Sequence, residues 1–287
     1  MQVTDLREWQ NSARTFDFNG EKFCYWTSSD SADKPTLLLI HGFPSASWDW
    51  SPVWNTLAQH YQLVAVDMLG FGFSSKNPKA DYSIHCQANL QQALLQHLAI
   101  TEYSVLAHNY GDTVAQELLA RDQNNHRIQQ MFLLNGGLFP ETHRALFVQK
   151  LMLSPVGFLI PLVINKKRFL QSFAKICAKP LSIEEMDGLW QLMAYNQGPV
   201  VMPKLIHYIK ERREHRERWV GALTNSRTPL VLINGSDDPI SGSHMVERYR
   251  QLVQTDHIYE LPGIGHYPQL EDPASVSRLI LQTSSVL

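Results

Sequence analysis

An α/β fold with a mostly parallel central sheet is the class this sequence predicts, and three observations predict it. Short β-type runs alternate with helical patterns in two separate stretches of the chain. A strong hairpin dipeptide, Asn19-Gly20, precedes the first stretch. A helical, proline-broken segment separates the two stretches. A chain of 287 residues exceeds the usual single domain and falls short of two, so one large core carrying an insertion fits best.

The elements follow in order. Asn19-Gly20 turns two antiparallel strands, at 15–18 and 22–27. Apolar β-type runs at 36–40, 62–67, 103–108 and 129–134 then alternate with helical spacing at 84–98 and 111–121. A second set follows residue 225, with strands at 230–234 and 257–261 and helices at 243–253 and 274–281. Between them, 138–218 is rich in Leu, Phe, Met, Lys and Arg at helical spacing and is broken by Pro155, Pro161, Pro180, Pro199 and Pro203. The division predicted is a core of 1–137 and 219–287 with a helical cap of 138–218. The run 211–218, ERREHRER, interleaves three Glu with four Arg and is expected to be a solvated helix face held by i,i+4 pairs.

Charge and cysteine usage exclude several function classes. Lys plus Arg number 25 against 27 for Asp plus Glu, so the net charge of −2 supplies no long-range field for phosphate backbones or anionic membranes. Nucleic acid is not an expected partner. The first thirty residues lack an apolar signal core and no apolar run reaches spanning length, so a soluble, cytoplasmic protein without membrane insertion is expected. Cys24, Cys86 and Cys177 are odd in number and show no CxxC spacing, which suits reduced thiols rather than disulfides or zinc. No cofactor or metal is expected.

The chemistry concentrates at Ser104-Val-Leu-Ala-His-Asn-Tyr-Gly-Asp-Thr-Val-Ala, an apolar strand, a sharp turn and a helix. That is the context of a nucleophile elbow, in which residue 109 sits on a strained turn at the strand's C-terminal edge and Gly111 lets helix and backbone approach. The GxSxG pattern is altered here, with Ala107 for its first glycine and Asn109 at the nucleophile position. Three further segments stand where such an elbow needs them. Ile40-His-Gly-Phe-Pro44 offers the Phe43 N–H to pair with that of Tyr110 as an oxyanion hole, with His41 expected to be structural. Asn234-Gly-Ser-Asp-Asp-Pro offers Asp238 as the acid, with Asp237 the competitor, and Gly263-Ile-Gly-His-Tyr-Pro offers His266. The order nucleophile, acid, histidine is that of a catalytic triad of this architecture.

At these residues, and at Asp67-Met-Leu-Gly-Phe-Gly-Phe-Ser74, the chain resembles the α/β-hydrolase superfamily over nearly its whole length. Within it the resemblance is to the branch of epoxide hydrolases and haloalkane dehalogenases, and to the mesoderm-specific transcript-like group. The latter likeness runs through Tyr110-Gly-Asp, Ala115-Gln-Glu-Leu-Leu, Asn135-Gly-Gly-Leu-Phe-Pro-Glu-Thr-His-Arg144, Arg218-Trp-Val-Gly-Ala-Leu and His266-Tyr-Pro-Gln-Leu-Glu-Asp-Pro273. The resemblance implies an α/β-hydrolase fold with a helical cap, and a small hydrophobic substrate. In that branch the elbow residue is Asp, whose carboxylate attacks an sp³ carbon to form an alkyl ester that a histidine-activated water hydrolyses. His266, Asp238, Phe43 N–H and Tyr110 N–H match those roles.

Asn109 does not, because a neutral amide is a poor nucleophile. Two accounts of it stand: an Asp→Asn substitution made to trap substrate, favoured because the remaining machinery is intact and Asn is nearly isosteric with Asp, or a natural loss of this chemistry. For the electrophile, the resemblance implies cap tyrosines that protonate an opening epoxide, and Tyr208 matches one by position, with Tyr195 a substitute for the other. The usual halide-gripping positions carry Phe43 and Tyr110, leaving Trp190 as a halide donor and dehalogenation as the second reading. Readings of other classes are a silent ligand-binding protein on this fold and a cofactor-free lyase or oxygenase using only His266 and Asp238.

Overall fold

The computed structural model describes residues 4–29 and 33–284. Asn19 and Gly20 both take positive φ (52° and 76°), closing the hairpin of β1 (Arg14–Phe18) and β2 (Glu21–Thr27). The other strands are β3 (Thr36–Ile40), β4 (Gln62–Val66), β5 (Tyr103–His108), β6 (Ile128–Leu134), β7 (Leu230–Gly235) and β8 (Ile258–Leu261). They form one eight-stranded sheet in the order β1-β2-β4-β3-β5-β6-β7-β8. Only the β1–β2 and β2–β4 pairs are antiparallel.

Both faces of this sheet are covered, which is why its central strands read as unbroken apolar runs rather than alternating ones. Every residue of β3, β5 and β7 is buried. Leu37 and Leu39 join one core with Trp50, Val53, Val276 and Ile280, while Leu38 and Ile40 join the other with Val105, Val114 and Leu118. Truncating one of these leucines to Ala costs about 2–5 kcal/mol in lost burial and cavity formation.

The helices are α1 (Leu6–Asn11), α2 (Ser51–Leu57), α3 (Ile84–His97) and α4 (Tyr110–Asp122) before β6, and α12 (Ser243–Leu252), α13 (Pro268–Glu271) and α14 (Pro273–Ser284) after β7. Seven more fill the β6–β7 connection: α5 (Phe147–Met152), α6 (Ile160–Val163), α7 (Lys166–Ala174), α8 (Ile183–Ala194), α9 (Gly198–Leu205), α10 (Tyr208–Glu214) and α11 (Arg216–Thr224). Their ends are set locally. Ser182 and Glu185 form a capping box at α8, and Asn196 and Gln197 in left-handed conformation turn the chain between α8 and α9. No helix among the described residues is long and apolar enough to cross a membrane.

After β3 the chain builds β4 on one side and then crosses to place β5 on the other. The carboxyl ends of β3 and β5 therefore open a crevice at a topological switch point, the usual seat of a ligand in such sheets. The sequence misses the short helices α1, α2 and α13, since six, seven and four residues are too few for a helical period to stand out.

Candidate active site

The site is assembled from the loops that leave β3, β5, β7 and β8. β5 ends at His108, and Asn109 then takes φ 54° and ψ −104° before α4 starts at Tyr110. Such a conformation costs a non-glycine residue about 1–3 kcal/mol and persists only where its surroundings hold it. Here Asn109 N donates to Leu134 O at 3.1 Å and Arg212 Nη2 donates to Asn109 O at 3.0 Å. A Cβ at Gly111 would lie 2.2 Å from Ile40 O, so only glycine lets α4 seat against the end of β3. That seating brings Asn109 beside the His41-Gly42-Phe43 loop. His41 holds the loop, with Nδ1 donating to Gly42 O at 2.9 Å and Nε2 accepting from Met68 N at 3.1 Å.

Asn109 Oδ1 accepts from Phe43 N at 3.2 Å. A backbone N–H can only donate, so the amide's oxygen faces Phe43 and its nitrogen faces His266, where Nδ2 donates to Nε2. The opposite ring nitrogen of His266, Nδ1, donates to Asp238 Oδ2 at 2.6 Å. The imidazole is thereby fixed as its Nδ1–H form with Nε2 as acceptor. Tyr110 is the first residue of α4, and its N–H points out of the helix without an intrahelical partner.

Asp238 is buried and receives three more donors: Asn135 Nδ2 at 3.0 Å, Ser241 Oγ at 2.7 Å, and Ile240 N at 2.7 Å to its other oxygen. Burial alone pushes its carboxyl up, but His266 and these hydrogen bonds outweigh that and hold it at about 2. The neighbouring Asp237 is exposed to solvent. The His266 loop is pinned by His266 N donating to Ile176 O at 2.8 Å and by His108 Nε2 donating to His266 O at 2.7 Å. Burial keeps His108 neutral, far below the usual imidazole range.

A cavity of about 330 Å³ runs from the buried Asn109 and His266 to the exposed Phe147, Val163 and Lys175. Met152, Ile160, Phe169, Phe173 and Ile240 line it between these ends, so its interior suits an apolar molecule. Among the described residues no group of His, Cys, Asp and Glu is placed to hold a metal ion.

The structure brings Asn109, Asp238, His266, Phe43 and Tyr110 together, whereas the three cap aromatics stand apart from the cavity lining. Tyr208 is buried behind it, its ring 6.3 Å from that of Phe43 and 4.8 Å from that of Tyr110, with an unpartnered hydroxyl. Trp190 packs on Phe169 at 5.6 Å. Tyr195 caps the end of α8, just before the left-handed turn at Asn196 and Gln197; it is 42% exposed and packs on Phe73.

Arg212 overturns the expectation of a wholly solvated 211–218 face. It is 3% exposed, donates to Asn109 O and Thr113 Oγ1, and lies 4.5 Å from the centre of the Tyr208 ring. Burial lowers its own pKa, and Asp112 and the two tyrosines beside it oppose that shift. Tyr208, Ile209 and Arg212 share one helical face, and an arginine recurring with apolar residues at that spacing was the available signal. His108 and Asn135 are likewise absent from the residues singled out by sequence; each is a polar residue at the C-terminal end of an apolar strand.

Residues 35–158 match the family described as the alpha/beta hydrolase fold. The chain is 38% identical over 284 residues to the mesoderm-specific transcript homolog protein of Bos taurus, covering 93% of this chain and 84% of that one. The chain belongs to the α/β-hydrolase family. This α/β-hydrolase is also 34% identical over 286 residues to the Mycobacterium tuberculosis protein LipZ, named as a hydrolase, covering 98% of each. Its fold superposes on haloalkane dehalogenase DbeA from Bradyrhizobium elkanii with a TM-score of 0.79 at 21% identity, covering 96% of this chain and 97% of that one. It superposes equally, at 0.79 and 21%, on an alpha/beta hydrolase fold protein from Burkholderia ambifaria, covering 94% and 97%.

Proposed function

We propose that this α/β-hydrolase acts on small, uncharged, hydrophobic electrophiles through an alkyl ester on a residue-109 carboxylate, and that the Asn109 form binds such a molecule without turning it over. The observation that carries the reading is the posture of Asn109: one arm accepts from Phe43 N and the other meets His266 Nε2. A carboxylate in that posture would present one oxygen to the hole and the other to the cavity beside His266. It is ionised at pH 7 without a base and can attack an sp³ carbon directly.

The chemistry then falls into two steps. Attack by the carboxylate oxygen forms a C–O bond and expels the leaving group, an alkoxide in the epoxide-hydrolase-like case. Water, deprotonated by His266 Nε2, next adds to the ester carbonyl, whose oxygen rests on the Phe43 and Tyr110 N–H groups. Collapse releases the alcohol and returns the carboxylate, while Asp238 stabilises the imidazolium formed in between. An oxygen of the original carboxylate leaves with the product.

Epoxides are favoured over halides because Tyr208 packs on both Phe43 and Tyr110 and its buried hydroxyl has no partner among the described residues; the reading requires that hydroxyl to turn into the cavity when substrate binds. Trp190, the remaining halide donor, packs on Phe169 instead. The cap assigned to 138–218 covers the apolar cavity and sets its substrate class.

One observation favours a second reading, a ligand-binding protein without chemistry: both arms of the Asn109 amide are already satisfied, so the neutral residue is well accommodated. Asn109→Asp separates the two. Hydrolysis of a hydrophobic epoxide by the variant supports the enzyme, and binding without turnover supports the silent protein.

A further inference from the structure

Six of the nine exposed large apolar side chains among the described residues fall in the 17 residues from Phe147 to Val163. Phe147 is 81% exposed, Leu162 79% and Phe158 70%, values at which a large side chain loses nearly all of its hydrophobic stabilisation. Phe158 and Leu162 are four apart along a continuous helical run, so they project from one side. Phe147 and Val163 also line the mouth of the cavity that leads to Asn109. The apolar surface and the entrance to the site are therefore on the same face.

The charge of this segment is as uneven as its polarity. Residues 142–183 hold seven Lys and Arg and no Asp or Glu, although the whole chain is net −2, so the remainder carries −9. Arg168 and Lys175 stand at the cavity mouth with Phe147 and Val163, and Lys150 is exposed one turn beyond Phe147. Within the segment Lys166 is committed to an ion pair, with Asp187 at 2.6 Å, whereas Lys150, Arg168 and Lys175 have no acidic partner among the described residues. A near-neutral total conceals this local field.

We propose that the α5–α7 face of the cap docks on an anionic lipid bilayer, with Phe147, Phe158 and Leu162 in the acyl boundary and Lys150, Arg168 and Lys175 against the headgroups. Apolar side chains flanked by cations are what an interfacial segment requires. A second copy of the chain is a poorer occupant, because two such faces would bring cation against cation. The protein lies on the membrane rather than spanning it, and a substrate dissolved in the bilayer reaches the cavity without crossing water. The inference does not depend on the chemistry assigned to residue 109.

The test is flotation of the full chain with vesicles of phosphatidylcholine alone and of phosphatidylcholine with phosphatidylglycerol. The expected result is cofloating with the anionic vesicles, weakened by salt, and little with the neutral ones. Removing two cations in Lys150→Gln/Lys175→Gln should lower partitioning about 30-fold, and Phe158→Ser/Leu162→Ser should abolish it. Circular dichroism on each variant establishes that a loss reflects the surface and not unfolding. Absence of binding to anionic vesicles, or binding unchanged in folded Phe158→Ser/Leu162→Ser, overturns the proposal. So does a dimer in solution that this variant converts to monomer, which assigns the face to a second copy.

Discussion

Asn109 Nδ2 donates to His266 Nε2, which places a neutral amide where an alkyl-ester hydrolase needs an anion and leaves the ring nitrogen occupied as an acceptor. Water activation needs that same nitrogen as its base. The pair therefore carries both halves of the proposed chemistry, the residue that would be alkylated and the one that would free it.

In an Asn109→Asp background, His266→Gln should leave alkylation largely intact and block hydrolysis, since His266 serves chiefly the second step. Intact-protein mass spectrometry after exposure to an epoxide should show an adduct of the substrate's mass. An unmodified protein that still consumes substrate would remove His266 from the proposed role.

The proposed epoxide reading gives Tyr208 the protonation of the leaving group, and the two electrophile classes differ in their need for it. An alkoxide leaves far less readily than a halide, so Tyr208→Phe in the Asn109→Asp background should cost epoxide opening about 10²–10⁴-fold in kcat/KM. A matched bromoalkane should lose much less. Equal losses would make Tyr208 a packing residue beside Tyr110 and Arg212.

Arg212 holds the elbow through Asn109 O, so its removal should disturb positioning more than binding. Arg212→Met in the Asn109→Asp background should lower kcat with KM nearly unchanged. Arg212→Lys should restore little, because a single ammonium cannot reproduce the fork spanning Thr113 Oγ1 and Asn109 O. A Lys variant with full activity would show that charge alone suffices.

Glu117 joins α4 to α11 by accepting from Arg218 Nε at 2.7 Å and Trp219 Nε1 at 2.8 Å, and it also accepts from Arg121 Nε, one turn on in α4, at 2.7 Å. Burial pushes its carboxyl up, but the hydrogen bonds from Arg218, Arg121 and Trp219 outweigh that and hold it down at about 2. A depressed folded value stabilises the protein above the unfolded value of ~4.3 and loses that contribution as pH falls toward 2. Glu117→Gln should therefore cost about 1–3 kcal/mol at pH 7, with the deficit shrinking between about pH 4.3 and 2. Urea unfolding of both proteins at pH 7 and pH 3 measures it, and a deficit equal at both would contradict the role given to the charge.

The fold was legible because its central strands are buried on both faces: 36–40 and 103–108 coincide with β3 and β5 residue for residue. Asn109, Asp238 and His266 were legible because strand-turn context and chain order mark them. Arg212 was hidden because its neighbours in ERREHRER are solvated and composition averages over faces. The positions of Tyr195, Trp190 and Tyr208 were not legible for a related reason, since a helical segment names its residues but packing on Phe73, on Phe169, and on Phe43 with Tyr110 decides where they sit. The basic, apolar face of α5–α7 was masked by summing charge over the whole chain.

The most direct test of the ester mechanism is a single turnover of the Asn109→Asp protein with a hydrophobic epoxide in ¹⁸O-labelled water. The ester mechanism predicts heavy oxygen in the carboxylate at position 109, read by mass spectrometry of its peptide, and unlabelled oxygen in the product. Label in the product alone, with an unlabelled residue 109, would contradict a covalent intermediate there.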